Sequence, residues 1–329
     1  MDLVTRFGLQ IPSFTFPAPD GDDGAAAGEG GLFDKVADIA ATAEAAGFDS
    51  IWVMDHFFQI PMVGAPDEPM FEAYTLLGGL AARTRTARLG AMVTGVTYRN
   101  PALLAKQVTA LDVISGGRAV LGIGAAWFDG EHEGLGFAFP PLAERFERLE
   151  EALQICRAMF TEEAPSFTGR HYRIAKAVNR PRPVHPGGPP ILVGGSGERK
   201  TLRMVAKYAD ACNLFGGVDE VRHKLGVLRT HCEDVGRDYG TITKTKLATL
   251  VIGETEAEAE ALLADMAAAR GLDVELVRAF AMSGDPDKVV AEVAAHFDAG
   301  LDGLVVNMPG SQDLRHVTLA GETLRSAFG

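Results

Sequence analysis

The sequence predicts a (β/α)8 barrel of the α/β class. Short runs rich in β-branched residues alternate with longer helical stretches, which is typical of parallel βα units. Eight strands of this kind occur, and nearly all of them precede a helix. The segment Gly47–Val53 is also echoed by Gly300–Val306, each being a helix stop, one turn and a buried strand, and repeated units can close into a ring. The rival is an open doubly wound sheet, which rarely holds eight such strands in one domain.

Apolar runs bounded by turn residues define the strands in order. They are predicted at Arg6–Ile11, Asp49–Met54, Arg88–Thr94, Arg118–Gly124, Ile191–Gly194, Ala211–Phe215, Lys244–Ile252 and Leu304–Met308. A Gly/Ala/Asp-rich loop, Ala18–Gly31, follows the first strand. A second stretch, residues 161–189, interrupts the alternation, so we expect one domain over residues 1–329 with an insertion there.

Helix limits follow from caps and periodicity. Gly47 and Gly300 end helices as C-terminal caps, whereas Pro101 and Pro286 occupy first turns, where a missing N–H is harmless. Between Pro141 and Phe160, apolar residues recur at spacings of four and three, which predicts one buried stripe of Leu142, Phe146, Leu149, Leu153, Cys156 and Phe160. The predicted helices are Phe33–Ala46, Phe71–Arg83, Pro101–Ile114, Pro141–Phe160, Arg199–Tyr208, Glu220–Val235, Glu256–Ala269, Pro286–Ala299 and Leu314–Phe328.

Composition limits the possible partners. The net charge of −13 disfavours nucleic acid and anionic membranes, and we expect neither as a partner. The start of the sequence lacks an apolar signal core, and no run of about 18 apolar residues occurs, so a cytoplasmic location is expected. Three widely spaced cysteines form no Cys-x-x-Cys pair, and no His-Glu-x-x-His occurs, so we expect no metal site.

One stretch departs from this acidic balance. Residues 164–197 contain no Asp or Glu but carry five basic residues, Arg170, Arg173, Lys176, Arg180 and Arg182. Two interpretations explain this composition about equally well. The stretch is either a proline-rich segment exposed to solvent, or an anion-binding rim.

Candidate site residues follow the strands, because barrel active sites lie at the carboxyl ends of the strands. The second strand ends in Asp55 and His56. A histidine there can transfer a proton near neutral pH, although it can also be a plain loop residue. Gly122 and Gly124 end the fourth strand ahead of Ala125, Ala126 and Trp127, which permits either a planar ligand close to the backbone or only a tight turn.

The fifth strand runs into Gly194-Gly195-Ser196-Gly197 and then a helix. Glycines ahead of a helix N-terminus expose N–H donors that suit a phosphate, and Arg199 and Lys200 could add charge, although a capped turn looks similar. The loop is neither a Walker A motif nor a nucleophile elbow, since Glu198 stands where the elbow needs glycine.

Taken together, these motifs resemble the luciferase-like monooxygenase superfamily, in particular its actinobacterial branch that uses coenzyme F420. The resemblance covers nearly the whole chain. It is carried by Trp52–His56, Thr84–Gly90, Tyr98–Gln107, Leu111–Arg118, Leu121–Gly124, Gly194–Gly197 and Ala209–Asp210.

The resemblance implies a barrel with an insertion and a deazaflavin ring at its mouth. It places the cofactor phosphate at the loop Gly194, Gly195, Ser196 and Gly197. It places the ring beside the ends of the third and fourth strands, at Met92, Val93, Thr94, Gly124, Ala125, Ala126 and Trp127. It also implies a non-prolyl cis peptide at Met92–Val93. His56 takes the position of a proton-transferring histidine, with Asp55 as support or cofactor contact.

In one position the chain departs from the family pattern. Some relatives carry a glutamate just after the glycines of strand four, where this chain has Trp127. Asp129 and Glu131 are the candidate substitutes, and Trp127 is then expected to form a wall of the substrate cavity. Phe57, Phe58, Phe137 and Phe139 also suggest an apolar pocket.

The resemblance leaves several functions to distinguish. The first is an F420-dependent enzyme that transfers hydride to or from a small organic substrate, and the second is an FMN-dependent monooxygenase supplied by a separate flavin reductase. A barrel that only binds a deazaflavin is a third, and a metal-dependent hydrolase is disfavoured for want of ligands. Relatives are often homodimers, which the sequence does not decide.

Overall fold

The computed structural model describes residues 4–16 and 29–329, so most of the predicted loop Ala18–Gly31 lies outside the described residues. Eight parallel strands form a closed barrel, which confirms the predicted fold. Each strand pairs with the next along the chain, and Phe7 on the first strand pairs with Leu304 on the last. The strands are β1 (Phe7–Ile11), β2 (Ser50–Val53), β3 (Arg88–Ala91), β4 (Ala119–Gly124), β5 (Ile191–Gly194), β6 (Ala211–Leu214), β7 (Thr243–Ile252) and β8 (Gly303–Asn307).

Helices surround this barrel, and their limits agree with the predicted caps. Gly47 ends the first helix in the left-handed conformation, at φ 117°. The carboxylate of Asp285 accepts the N–H of Lys288 at the start of the tenth helix. The helices are α1 (Leu32–Ala46), α2 (Ala73–Arg83), α3 (Pro101–Ser115), α4 (Asp129–Leu135), α5 (Leu142–Thr161), α6 (Thr201–Tyr208), α7 (Val218–Val235), α8 (Glu256–Arg270), α9 (Val274–Phe280), α10 (Pro286–Asp298) and α11 (Leu314–Phe328).

Local details differ from the predictions in several places. The short helices α4 and α9 were not predicted, and neither was the strand Ala281–Gly284, which pairs with β7. Strand β3 ends at Ala91, and the predicted cis bond follows at Met92–Val93. Leu142 begins the predicted stripe of α5 but is exposed, because it lies at the solvent end of that helix, while the stripe from Leu149 onward is buried.

The barrel interior is filled around Trp52. Its indole lies between two glycines on the neighbouring strands, Gly8 and Gly90, and donates its N–H to Ser50 Oγ at 2.9 Å. A methyl group on Gly90 would meet the Trp52 ring at 2.7 Å, so no larger residue fits without displacement. The Trp52 ring therefore covers the inner face of the two neighbouring strands, and glycine is required at both positions.

Two further cores pack outside the barrel. The larger lies between the barrel and its helices. A small separate core lies under α8 and α9, formed by Val251, Leu263, Met266, Ala267, Val277 and Ala281. No helix among the residues given above is long and apolar enough to cross a membrane.

We expect Gly90→Ala to lower the free energy of unfolding by about 1–3 kcal/mol, because the methyl group would overlap the Trp52 ring and the Val120 carbonyl. Gly78→Ala is the matched control. Its methyl group would meet nothing within 4 Å on helix α2, so it should raise the free energy of unfolding by about 0.5–1 kcal/mol. Denaturant unfolding of both variants measures this, and equal effects would contradict the packing described.

Candidate active site

A cavity of about 1230 Å³ opens at the carboxyl ends of the barrel strands. All but one of the predicted site residues line it, namely Asp55, His56, Met92, Val93, Gly124, Ala125, Ala126, Trp127, Gly194, Gly195, Ser196 and Gly197. The exception is Thr94, which is buried with its hydroxyl 2.7 Å from that of Tyr74 and does not line the cavity.

His56 follows β2 and is held by Glu131. The Nδ1 atom of His56 lies 2.8 Å from Glu131 Oε2, and the Glu131 side chain has no exposed surface. The same carboxylate accepts the backbone N–H groups of Phe57 and Phe58. Because Nδ1 is engaged, Nε2 is the imidazole nitrogen left for chemistry in the cavity. Glu131 thus has a defined place in the site, whereas Asp129, the other candidate acid, is exposed.

Tyr98 completes the surroundings of this carboxylate. Its hydroxyl donates to Glu131 Oε2 at 2.6 Å, and its ring stacks on His132 with centroids 4.7 Å apart. Burial and the adjacent carboxylate raise the pKa of Tyr98, so it stays protonated and donates. Burial opposes the charged form of Glu131, but the hydrogen bonds from His56, Phe57 and Tyr98 outweigh this and hold the pKa of Glu131 below its usual range.

Asp55 is turned toward a different partner. Its carboxylate forms a two-pronged ion pair with Arg99, at 2.7 and 2.9 Å, and accepts the N–H of Gly95 at 3.2 Å. Burial raises the pKa of Asp55, and the Arg99 guanidinium opposes that rise. Arg99 also reaches Glu72 at 2.5 Å. The pair therefore fixes the loops after β2 and β3 to each other, and Asp55 has little capacity left for a ligand.

Val93 and two glycines shape one wall of the cavity. A methyl group on Gly124 would lie 2.9 Å from Val93, and one on Gly194 would lie 2.8 Å from it. The side chain of Val93 therefore sits directly against the backbone ends of β4 and β5. Gln10 supports the same wall, since its side-chain amide donates to the Met92 carbonyl at 3.1 Å.

The loop after β5 presents backbone amides to the cavity. Gly195 adopts φ 122°, which favours glycine, and its own N–H is bonded to the Asn213 carbonyl at 3.0 Å. For the N–H groups of Ser196 and Gly197, no protein acceptor lies among the residues with described positions. Helix α6 starts at Thr201, and Thr201 also lines the cavity. These amides and the start of this helix can hold an anion.

Several residues expected at the site lie elsewhere. Phe57 packs edge-on against Tyr98 and Phe137, and Phe139 packs on His132. Of the predicted aromatic set only Trp127 lines the cavity, with its ring 5.7 Å from that of His56. Phe57, Phe137 and Phe139 instead pack around Tyr98 and His132, and Phe58 lies against Gly134 of α4.

The basic segment also does not form an anion-binding rim. Arg170 and Arg180 pair with Glu147 and Glu163, and Arg182 donates to the carbonyls of Thr161 and Glu162. No residue between 147 and 193 lines the cavity. Arg199 and Lys200 line a separate small groove beside α5 and α6.

Sequence reasoning missed the polar groups at the floor of the cavity. Gln10, Asn213 and Asn307 belong to barrel strands and line the cavity. A pattern in the sequence could have indicated them, because an isolated amide side chain within an apolar strand needs a polar partner. Glu131 was one of the two candidate acids, but its contact with His56 was not predicted, because the two residues belong to different βα units.

Comparison with known proteins places this geometry in a family. The model of the luciferase-like monooxygenase family matches residues 9–272. The chain belongs to that family. It is also 32% identical to the F420-dependent glucose-6-phosphate dehydrogenase of Kineococcus radiotolerans over 313 residues, covering 86% of this chain and 90% of the relative. The chain is therefore an oxidoreductase of the luciferase-like family.

Two solved structures share the fold at low sequence identity. An F420-dependent secondary alcohol dehydrogenase in complex with an F420–acetone adduct superposes with a TM-score of 0.80, at 18% identity, over 99% of each chain. The oxygenating constituent of 3,6-diketocamphane monooxygenase from Pseudomonas putida, in complex with FMN, gives 0.75 at 20% identity, over 97% of this chain and 98% of that one. The barrel fold is thus shared by a protein that holds F420 and by a protein that holds FMN.

We expect Glu131→Gln to destabilise the protein at pH 7 and to lose this effect in acid. Because the folded-state pKa of Glu131 is lowered, its contribution is complete above the ordinary value of 4.5 and disappears as pH falls through the lower folded-state pKa. Denaturant unfolding between pH 7 and pH 3.5 measures the difference between the variant and the parent protein. Glu133→Gln, an exposed change on the same helix, is the control. A pH-independent difference would be inconsistent with this reading.

Proposed function

We propose that this oxidoreductase binds coenzyme F420 at the barrel mouth and transfers hydride between the deazaflavin and a small organic substrate. The observation that carries the proposal is His56, which lines the cavity with its Nδ1 fixed by the buried Glu131. The F420-dependent relative at 32% identity supports the choice of cofactor. Proton transfer by a positioned histidine is the partner that hydride transfer at carbon requires.

The residues present fit such a cofactor. A cavity of about 1230 Å³ exceeds the ~300–1,000 Å³ of typical ligand sites, which leaves room for a ring system and a substrate together. The amides of Ser196 and Gly197, ahead of α6, suit a phosphate. Val93, packed against Gly124 and Gly194, offers an apolar surface for one face of a flat ring.

When bound, the deazaflavin supplies or accepts the hydride, and the protein supplies orientation and the proton path. Nε2 of His56 takes the proton from a substrate hydroxyl, or returns it in the reverse direction. Glu131 and Tyr98 hold the imidazole in the tautomer that leaves Nε2 toward the cavity. Asp55 acts as a positioning residue, since its ion pair with Arg99 fixes the loop that carries His56.

The FMN-dependent alternative uses the same features. The FMN-bound monooxygenase that shares the fold supports it as a second candidate, in which a separate reductase would supply reduced flavin. A direct comparison of the two cofactors therefore decides between them.

We expect coenzyme F420 to bind at least tenfold more tightly than FMN in fluorescence titrations of the purified protein. Tighter binding of FMN would favour the monooxygenase, and F420 binding without turnover on any reductant would indicate a non-catalytic binder.

Gly197→Asp should weaken F420 binding at least tenfold, because it adds a carboxylate to the proposed phosphate loop and its Cβ would meet Thr201 Oγ1 at 2.9 Å. Gly226→Asp adds the same charge to α7, outside the cavity lining, and should leave binding unchanged.

We expect His56→Ala to slow cofactor reduction about 10²–10⁴-fold while changing the dissociation constant of F420 only a few-fold, because the imidazole moves a proton and does not anchor the ring. Single-turnover absorbance of the cofactor, with a reductant that the parent protein turns over, measures the rate. Glu131→Gln should slow the same step and shift its pH profile. An unchanged rate in His56→Ala would remove the proposed role.

A further inference from the structure

A buried arginine lies behind the wall of the cavity that the loop after β4 forms. Arg145 belongs to α5 and is only 9% exposed. Its guanidinium donates to the carbonyl of Pro140 at 3.1 Å, to that of Ala125 at 3.2 Å and to that of Ala126. The Phe139 ring covers one face of the guanidinium, whose carbon lies 4.1 Å from the ring centroid. Backbone carbonyls and an aromatic face therefore hold this charge in place.

The charge of Arg145 has no counterion among the residues whose positions the structure gives. Arg99, by contrast, is paired with the carboxylates of Asp55 and Glu72. Burial lowers the pKa of Arg145, and no neighbouring acid opposes that change. An arginine nevertheless stays protonated near neutral pH. Because a buried charge without a counterion is costly, the surroundings of Arg145 are suited to a group of negative charge.

The carbonyls that Arg145 binds determine where the neighbouring N–H groups point. In a planar trans peptide the C=O and the N–H point in opposite directions, and both peptides of this loop are trans. Ala125 and Ala126 direct their carbonyls at Arg145, so the N–H groups of Ala126 and Trp127 point away from it. Ala125, Ala126 and Trp127 line the cavity, whereas Arg145 does not. The two N–H groups are therefore on the cavity side of the loop.

Successive N–H groups that point the same way form a concave anion-binding site, a nest. Ala126 adopts φ 60°, the left-handed conformation that such a nest contains. Within the part of the chain that the structure describes, the N–H groups of Ala126 and Trp127 have no protein acceptor. Arg145 strengthens both donors, because a carbonyl that accepts from a cation polarises the N–H of its own peptide. The loop after β4 thus offers a second pair of donors, separate from those of Ser196 and Gly197.

We propose that the N–H groups of Ala126 and Trp127 hold a pyrimidine oxygen of the bound deazaflavin ring, and that Arg145 is the positioning residue behind them. This inference rests on the proposed function. When the neutral oxidised ring accepts hydride from the substrate, a new C–H bond forms on the ring. The electron pair of the hydride leaves one negative charge, which the pyrimidine oxygens share. Two fixed donors and the Arg145 charge consequently bind the reduced ring more tightly than the oxidised ring.

The test is the reduction potential of F420 bound to the purified protein, measured without substrate by equilibration with a reference dye. Arg145→Met should weaken binding of reduced F420 at least tenfold relative to oxidised F420, which lowers the potential of the bound cofactor by about 30 mV for a two-electron couple. A residue that only holds the loop would weaken binding of both forms equally. An unchanged potential would therefore overturn the proposal, whether the loop serves a substrate oxygen or only packing.

Matched variants locate the effect at Arg145. Arg145→Lys keeps the positive charge and should restore most of the potential, whereas Arg145→Gln keeps a donor without the charge. If Arg145→Met does not fold, Arg145→Gln replaces it with the same expected shift. Arg148→Met is the control, because Arg148 lies on the same helix and pairs with Glu144. A shift in Arg148→Met as large as that in the Arg145 variants would contradict the assignment.

The choice of cofactor separates this inference from the proposed function. If the titration shows binding of FMN and not of F420, the proposed function fails alone, because FMN carries the same pyrimidine ring. The potentials are then measured with FMN, where a lower value in Arg145→Met supports the nest and an unchanged value overturns it. Binding of neither ring would overturn both proposals.

Discussion

The buried Glu131 carboxylate connects three loops of the barrel. It lies on α4, after β4, and accepts hydrogen bonds from His56, Phe57 and Phe58 after β2 and from Tyr98 after β3. A buried carboxylate without donors costs several kcal/mol, so these donors have to be in place together. The position of His56 is consequently set by a network and not by its own loop, which is the condition for a proton-transferring group of fixed geometry.

The barrel beneath provides the rigid base for this network. Trp52 packs between Gly8 and Gly90 on the inner face of β1, β2 and β3. The loops that carry Asp55, His56 and Val93 begin where β2 and β3 end. The ion pair of Asp55 and Arg99 then joins the loops after β2 and β3 above the ring. The packed barrel interior thus holds the strands, and the hydrogen bonds and ion pair above it hold the side chains of the site.

The strands and helix caps could be predicted from the sequence because their causes are local. Gly47 and Asp285 determine helix ends within a few residues of themselves. His56 and Gly194–Gly197 could be found because a barrel gathers every strand end at one face. Position along a strand was sufficient for these residues, without knowledge of any contact.

Contacts between distant segments could not be predicted in the same way. Glu131 meets His56 across 75 positions of sequence, and nothing near Glu131 indicates which loop it reaches. Phe57 and Phe137 are aromatic residues in loops near the mouth, yet they pack on Tyr98 behind the cavity wall. Likewise, Arg170 pairs with a carboxylate on α5, and Arg180 pairs with one just after that helix. The position of a residue on a strand or helix can be predicted locally. The direction of its side chain depends on packing partners from distant segments, which the local sequence does not identify.

The small core under α8 and α9 has a consequence for how this site can change. Val251, Leu263 and Val277 pack there as a unit apart from the core around the barrel. Leu272 and Phe280 border the cavity from the same segment. Both side chains are partly exposed and lie outside the packing around Trp52 and outside the hydrogen bonds of Glu131. Under the proposed function, this side of the cavity is thus supported by a packing unit distinct from the hydrogen bonds that hold His56.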